Sequence, residues 1–286
     1  MENAIEVKDL CKDYGSFQLK DVSFTLPRGS IMGLIGENGA GKSTTIKAIL
    51  NLIRRDGGTI SVLGMDCVKD EQAIKEHVGV VLDESTFHDM LTASDVDKVL
   101  SRIYKNWDKD LFRRYLKRFS LPDKKVIKEF SKGMKMKLSI AAALSVRPEL
   151  LILDEATAGL DPVVRNEILD EFLDFIQDER HAVLISSHIT SDLEKVADYI
   201  MYLHEGKVVV SGAKDDLLEN YGRVACSLDE LGKIDRKYLV GYRKNRFGCE
   251  ALVNDRRELG FLMPGLVIDP VTLEDIMVYT VKGEEK

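Results

Sequence analysis

At 286 residues with 44% hydrophobic side chains, the chain has room for one large or two modest domains with a real core, and it should fold without staples. Its formal net charge of -7 argues against a general nucleic-acid binder, because phosphate backbones are held by concentrated Lys and Arg. Cys11, Cys67, Cys226 and Cys249 are scattered without metal-ligand spacing and are expected as reduced thiols, and no signal pattern or bilayer-length apolar run is visible, so a membrane role should come through a partner.

Between residues 5 and 26, IEVKDL and DVSFTL read as strands of a mixed or antiparallel sheet, with a turn at Tyr14-Gly15 between them. Tyr14 either covers the end of a small core or offers its ring to a base, a stack worth about 1 to 3 kcal/mol. SIMGLIG then reads as a buried strand that runs into GENGAGKST, Gly36 to Thr44. Gly36, Gly41, Lys42 and Ser43 fit the phosphate-loop pattern G-x-x-x-x-G-K-S/T, and Asn38, Gly39 and Thr44 complete the candidate lining. The glycines let backbone N-H groups turn inward around a phosphate, and a helix starting near Lys42 aims its positive dipole end at the same point. Lys42 is expected to reach the β and γ phosphates, and Ser43 to hold Mg2+ through its hydroxyl. In TTIKAILNLI, Ile46, Ile49, Leu50 and Ile53 recur at helical spacing. Strand, glycine loop and helix in that order distinguish the motif from an ordinary glycine-rich turn.

After a turn at RRDGG, TISVLG is a short strand and Glu71 to Glu76 a helical turn. Val78 to Leu82 is unbroken apolar, as in a central parallel strand, and delivers Asp83 to the end where open α/β sheets place ligands. An acid there also suits the start of the next turn. From Glu84 to about Glu149 the pattern is helical, with Ala93 to Tyr104, Lys109 to Phe119 and Lys132 to Val146 separated by a break at Leu121-Pro122. We read this stretch as a helical subdomain inserted between two strands of the central sheet. LLILDEA then returns to the sheet and delivers Asp154 and Glu155, the first suited to a Mg2+ shell and the second to polarising an attacking water. Paired acids after a strand also serve as helix N-terminal charges. A helix from about Pro162 to Glu179, the strand AVLISSHIT, a helical stretch at 192 to 198 and the hairpin YIMYLHEGKVVVSG follow. His188, just past its strand, would share the sheet edge with Lys42, Asp154 and Glu155 and could hydrogen-bond a γ phosphate, although a lone histidine is more often structural.

Taken in order, these motifs resemble the nucleotide-binding subunit of an ATP-binding cassette transporter over residues 4 to about 220. FSKGM at 130 to 134 occupies the family's signature slot, Gly159-Leu160-Asp161 resembles its D-loop, and His188 its switch histidine. The resemblance implies a P-loop NTPase fold of class α/β: a mainly parallel sheet, an N-terminal antiparallel β subdomain, the inserted helical subdomain and a small C-terminal mixed α/β appendage. It also implies ATP and Mg2+ as ligands, adenine stacked on Tyr14, Asp154 assisting Mg2+, and Glu155 as general base. Cassettes of this family pair head to tail, so Ser131, Gly133 and Asp161 would serve a nucleotide held by the P-loop of a second cassette, identical or not. A transmembrane permease is the implied partner, at the cytoplasmic face of the membrane, and no nucleic acid is expected.

Two departures stand out. The usual signature LSGGQ keeps only Ser131 and Gly133 here, which suffice to set a hydroxyl and a backbone N-H at a helix N-terminus; Lys132 adds a charge read as pointing to solvent. Asp83 stands where the family has a glutamine that touches Mg2+ or water, and a carboxylate can bind Mg2+ directly or through water. Asp83→Ala is expected to lower transport-coupled hydrolysis more than ATP binding. Phe87, Met90 and Leu91 either meet the permease or face the chain's own core. We divide the chain into a cassette, residues 1-212 with the helical part at about 84-149, and an accessory region, 213-286. The basic run Lys233 to Arg246 is read as a solvated face, with a regulatory or dimer-stabilising role as the sharper alternative. TLEDIMVYTVKG resembles the tail of single-cassette bacterial exporter subunits for drugs or antimicrobial and amphipathic peptides. The rival is a soluble cassette ATPase acting on ribosomes or DNA, but one P-loop, one signature and no coiled coil speak against it. A P-loop kinase or GTPase leaves FSKGM and the D-loop unexplained.

Overall fold

The computed structural model describes residues 2-82, 87-245 and 248-283. Strands β1 (Asn3–Asp13) and β2 (Gln18–Pro27) form an antiparallel ribbon in which Leu19, Val22, Phe24 and Leu26 point inward and their neighbours outward. The central strand β3 (Ile31–Ile35), buried at every position, leads through the glycine loop into helix α1 (Lys42–Ile49). Strands β4 (Gly57–Val62) and β5 (Met65–Asp66) return to the first sheet, and α2 (Glu71–Lys75) precedes β6 (Val78–Val81). The insert follows as α3 (Ala93–Ile103), α4 (Lys109–Arg118) and α5 (Lys132–Ser145). The chain continues as β7 (Leu150–Asp154), α6 (Pro162–Phe175), β8 (Ala182–Ser187), α7 (Thr190–Val196), β9 (Tyr199–His204) and β10 (Lys207–Ala213). Helix α8 (Lys214–Asn220) leads to β11 (Gly222–Cys226), α9 (Leu228–Lys233), β12 (Leu239–Asn245), β13 (Gly248–Val253), α10 (Arg256–Leu262), β14 (Ile268–Asp269) and α11 (Leu273–Lys282).

Three sheets result, in the orders β2-β1-β4-β5, β10-β9-β3-β8-β7-β6 and β12-β13-β11-β14. The second is parallel except for β10, and the other two are antiparallel, as expected for a P-loop NTPase core with an antiparallel N-terminal part and a small mixed appendage. Alternate residues of the central strands enter opposite cores. Met32, Leu34, Leu150, Ile152 and Leu184 join α1 and the first sheet, while Ile31, Ile35, Leu151, Leu153 and Ile185 join α5, α6, α7 and α11. Burial on both faces is why these strands read as continuous apolar runs in the sequence.

Several boundaries differ from the sequence reading. Helix α1 stops at Ile49 because Asn51 turns left-handed, with φ 54°, so Ile53 lies outside it. Helix α6 ends at Phe175, not Glu179, where His181 returns to stack on the Phe175 ring at 4.3 Å. Helix α7 occupies 190 to 196, not 192 to 198, because Asp198 is drawn to the sheet, accepting the N-H of Ile31 at 2.8 Å. Phe87 and Leu91 pack on the chain's own core, whereas Met90 is exposed. The basic side chains Lys233, Arg236, Lys237, Arg243 and Lys244 are exposed, as read; Arg246 lies outside the described residues.

Candidate active site

The loop from Gly36 to Gly41 joins the end of β3 to α1, and its glycines are fixed by neighbours as well as by backbone angle. A Cβ on Gly36 would lie 2.6 Å from the carbonyl oxygen of Leu203. Gly41 has φ +112°, and its Cβ would meet Leu19 at 2.6 Å. The hairpin after β9 braces the loop, with the Gly206 N-H donating to Ala40 O at 3.0 Å and His204 Nδ1 lying 2.7 Å from Glu37 Oε1. Helices α3, α4, α5 and α6 are capped by Thr92, Asp108, Ser131 and Asp161, but α1 has neither a side-chain cap nor an acid in its first turn. Its leading N-H groups are therefore available to an anion from outside the helix. Half-buried Ser43 and Thr44 stand in that first turn, and exposed Asn38 and Gly39 form the rim.

Lys42 is folded into the loop. Its Nζ donates to Gly36 O at 2.6 Å and Glu37 O at 3.3 Å, and pairs with Glu155 Oε1 at 3.1 Å. Phosphate oxygens would be stronger acceptors for this ammonium than those carbonyls.

The acid pair leaves β7 with different environments. Asp154 is buried, and its Oδ1 accepts the Ser186 hydroxyl at 2.5 Å. Glu155 takes a left-handed conformation, φ 53°, while its N-H reaches Ser186 Oγ at 3.1 Å. That turn sends its carboxylate out of the strand to Lys42 and to His188, whose Nδ1 is 2.7 Å from Oε2. One β-ladder step explains the arrangement: Asp154 and Ser186 are register partners across β7 and β8. Ser43 and Asp154 each offer an oxygen of the kind Mg2+ takes, and α1, which carries Ser43, packs against β7.

Other expected residues lie elsewhere. Tyr14 is 51% exposed, with Lys12 Nζ 5.2 Å from its ring centroid, so it is not a core cover. Ser131 accepts from Met134 N at the start of α5, Asp161 accepts from Val163 N and Val164 N at the start of α6, and Gly133 faces Val164. Among the described residues no hydrogen bond or ion pair joins these three to the loop Gly36 to Thr44. Lys132 is exposed, with its ammonium beside Gly159. Asp83 lies outside the described residues. Sequence reasoning missed Ser186 and the Glu37-His204 pair. The serines of AVLISSHIT were visible, but only the β7-β8 register reveals which one meets Asp154.

Comparison with known proteins gives the family. Residues 19–158 match the family described as ABC transporter. The ATP-binding protein YtrB of Bacillus subtilis is 32% identical over 226 residues, covering 79% of this chain and 77% of that protein. The chain belongs to the ATP-binding subunits of ABC transporters. The bacitracin transport ATP-binding protein BcrA of Bacillus licheniformis is 36% identical over 242 residues, 84% of this chain and 74% of that one. A solved structure of the ATP binding subunit of an ABC transporter superposes with a TM-score of 0.67 at 31% identity, over 76% of this chain and 92% of the other. As an ABC subunit, the protein binds ATP and hydrolyses it to power a membrane transporter. None of these likenesses favours a soluble ATPase acting on ribosomes or DNA.

Proposed function

We propose that this subunit powers export of antimicrobial or other amphipathic peptides, or of drugs, through a permease at the cytoplasmic face of the membrane. The likeness to BcrA, a protein named for bacitracin transport, spans 84% of the chain and supports that cargo class. No helix among the described residues is long and apolar enough to cross a membrane, consistent with a peripheral subunit. In this reading residues 1-212 are the cassette and 213-286 an accessory region.

The observation that carries the catalytic reading is Glu155, which reaches Lys42 with one oxygen and His188 with the other, one residue after Asp154. Loop N-H groups and Lys42 bind the phosphates, with Gly36, Asn38, Gly39, Gly41, Ser43 and Thr44 lining the loop. Tyr14 stacks on adenine. Mg2+, held by Ser43 and Asp154 with Asp83 directly or through water, would neutralise phosphate charge. Glu155 accepts a proton from the attacking water, and His188 orients Glu155 and the γ phosphate. Ser131, Gly133 and Asp161 act on the nucleotide of a second cassette. Loss of the γ phosphate then releases the paired cassettes, the motion that drives the permease.

Affinity purification of the tagged chain from detergent-solubilised membranes of its host, followed by mass spectrometry, tests the partner. A near-stoichiometric multi-span protein supports the reading. A purely soluble or ribosomal set of partners contradicts it.

A further inference from the structure

We propose that Arg165 is a positioning residue for hydrolysis: its guanidinium ties the loop that follows Glu155 to the helix that follows His188, and so holds that acid and histidine in register. The inference rests on the catalytic reading of Glu155 given above.

Two lines of contact converge on this side chain. After Glu155 the chain makes successive turns, with Ala158 N donating to Glu155 O at 3.0 Å and Leu160 N to Thr157 O at 3.4 Å. The carbonyl of buried Leu160 then accepts from Arg165 Nη2 at 3.3 Å. On the other side, Ile189 N donates to Ser187 Oγ at 2.9 Å, and Asp192 N to Ile189 O at 3.2 Å. Asp192 is 1% exposed, and its Oδ1 lies 3.7 Å from Arg165 Nη1. The guanidinium therefore links the loop that follows Glu155 to the helix that follows His188.

The chemistry favours arginine at this point. A carboxylate as buried as Asp192 is stabilised by a nearby cation. A planar fork reaches that carboxylate and a carbonyl on a different element through two separate nitrogens. Lysine would supply the charge at a single point. The pair is held by charge at a distance longer than a hydrogen bond, and Arg165 Nε and Asp192 Oδ2 are buried without hydrogen-bond partners. Arg165 touches neither Glu155 nor His188 in any hydrogen bond or ion pair of the described residues, so its effect is on their placement.

The test uses the full chain with MgATP and measures kcat, KM, ATP affinity and thermal melting. Arg165→Gln alone would leave Asp192 unpaired, so the informative variant is Arg165→Gln with Asp192→Asn, which removes both charges. The expected result is a folded protein with KM within about twofold of wild type and kcat lowered about ten- to a hundredfold, since small misplacements of reacting groups cost that much. Arg165→Lys should fall between. Wild-type kcat in the double variant, or a loss confined to KM, overturns the proposal. If the double variant does not fold, Arg165→Lys decides: reduced kcat at unchanged ATP affinity supports positioning, and wild-type kcat overturns it. Glu155→Gln is measured alongside. Wild-type turnover there refutes the reading of Glu155 and this inference with it, whereas a slow Glu155→Gln beside a fast double variant refutes Arg165 alone.

Discussion

Glu155 Oε2 lies 2.7 Å from His188 Nδ1, although the two residues are 33 positions apart and each lies just past the end of a different strand. The left-handed turn at Glu155 sets its carboxylate for this contact, whereas a continued strand would have put the side chain on the sheet face opposite that of Asp154. Backbone strain thus serves the placement of one functional group, and Ser186 supports it from the neighbouring strand through the Glu155 N-H.

Ser186 is the hidden brace, with its hydroxyl donating to buried Asp154 and accepting from Glu155 N. Ser186→Ala leaves that carboxylate short of one partner. We expect a stability loss of about 1 to 3 kcal/mol and a higher Mg2+ requirement for ATP hydrolysis. Denaturant unfolding and a Mg2+ titration of turnover check both effects, and a variant unchanged in each refutes the assignment.

Gly39 and Gly41 of the loop should respond differently to alanine. A Cβ on Gly39 meets nothing within 4 Å and costs only its left-handed backbone, about 1 to 2 kcal/mol. One on Gly41 also strikes Leu19 at 2.6 Å and Phe17 at 3.0 Å. Gly41→Ala should therefore weaken ATP affinity and stability more than Gly39→Ala. Equal losses by calorimetric titration would contradict this.

Glu171 provides a pH signature. Burial pushes its carboxyl from 4.5 up to about 7, outweighing Arg118, while Asp174 and Asp170 add to the rise. Arg118 Nε nevertheless lies 2.6 Å away, joining α4 to α6. Because the folded protein holds this proton more tightly than the unfolded chain, the stabilising contribution is full below pH 4.5 and is lost as pH rises through about 7. Glu171→Gln should flatten this part of the stability profile. A slope identical to wild type over that window would rule the effect out.

Helix α11 is bound into the ATPase core. Leu273, Ile276 and Tyr279 share a buried cluster with Leu193 and Val196 of α7, and the Leu273 N-H donates to Glu194 Oε1 at 2.6 Å. Ile276→Ala should cost about 2 to 5 kcal/mol and lower the melting of the whole chain in one transition. Separate melting of the C-terminal region, with the remainder unaffected, would contradict the shared core.

Much of the architecture was legible because the central strands are apolar on both sides and the phosphate loop carries its own spacing. Lys42, Asp154, Glu155 and His188 were expected at one sheet edge because each follows or ends a recognisable strand, and Glu155 does reach both Lys42 and His188. Boundaries were less legible where side chains from elsewhere ended a helix, as Asp198 does after α7. Ser186, Arg165 and the docking of α11 were hidden for a common reason: each depends on register or packing between distant segments, and one sequence contains no record of which distant segments meet.

The most direct test compares hydrolysis and binding of MgATP by wild type and Glu155→Gln, purified as the full chain. We predict that the variant binds ATP as wild type does, forms an ATP-dependent pair on size exclusion, and hydrolyses about 10² to 10⁴-fold more slowly. Wild-type turnover in Glu155→Gln would show that another group activates the water and would contradict the central account of this site.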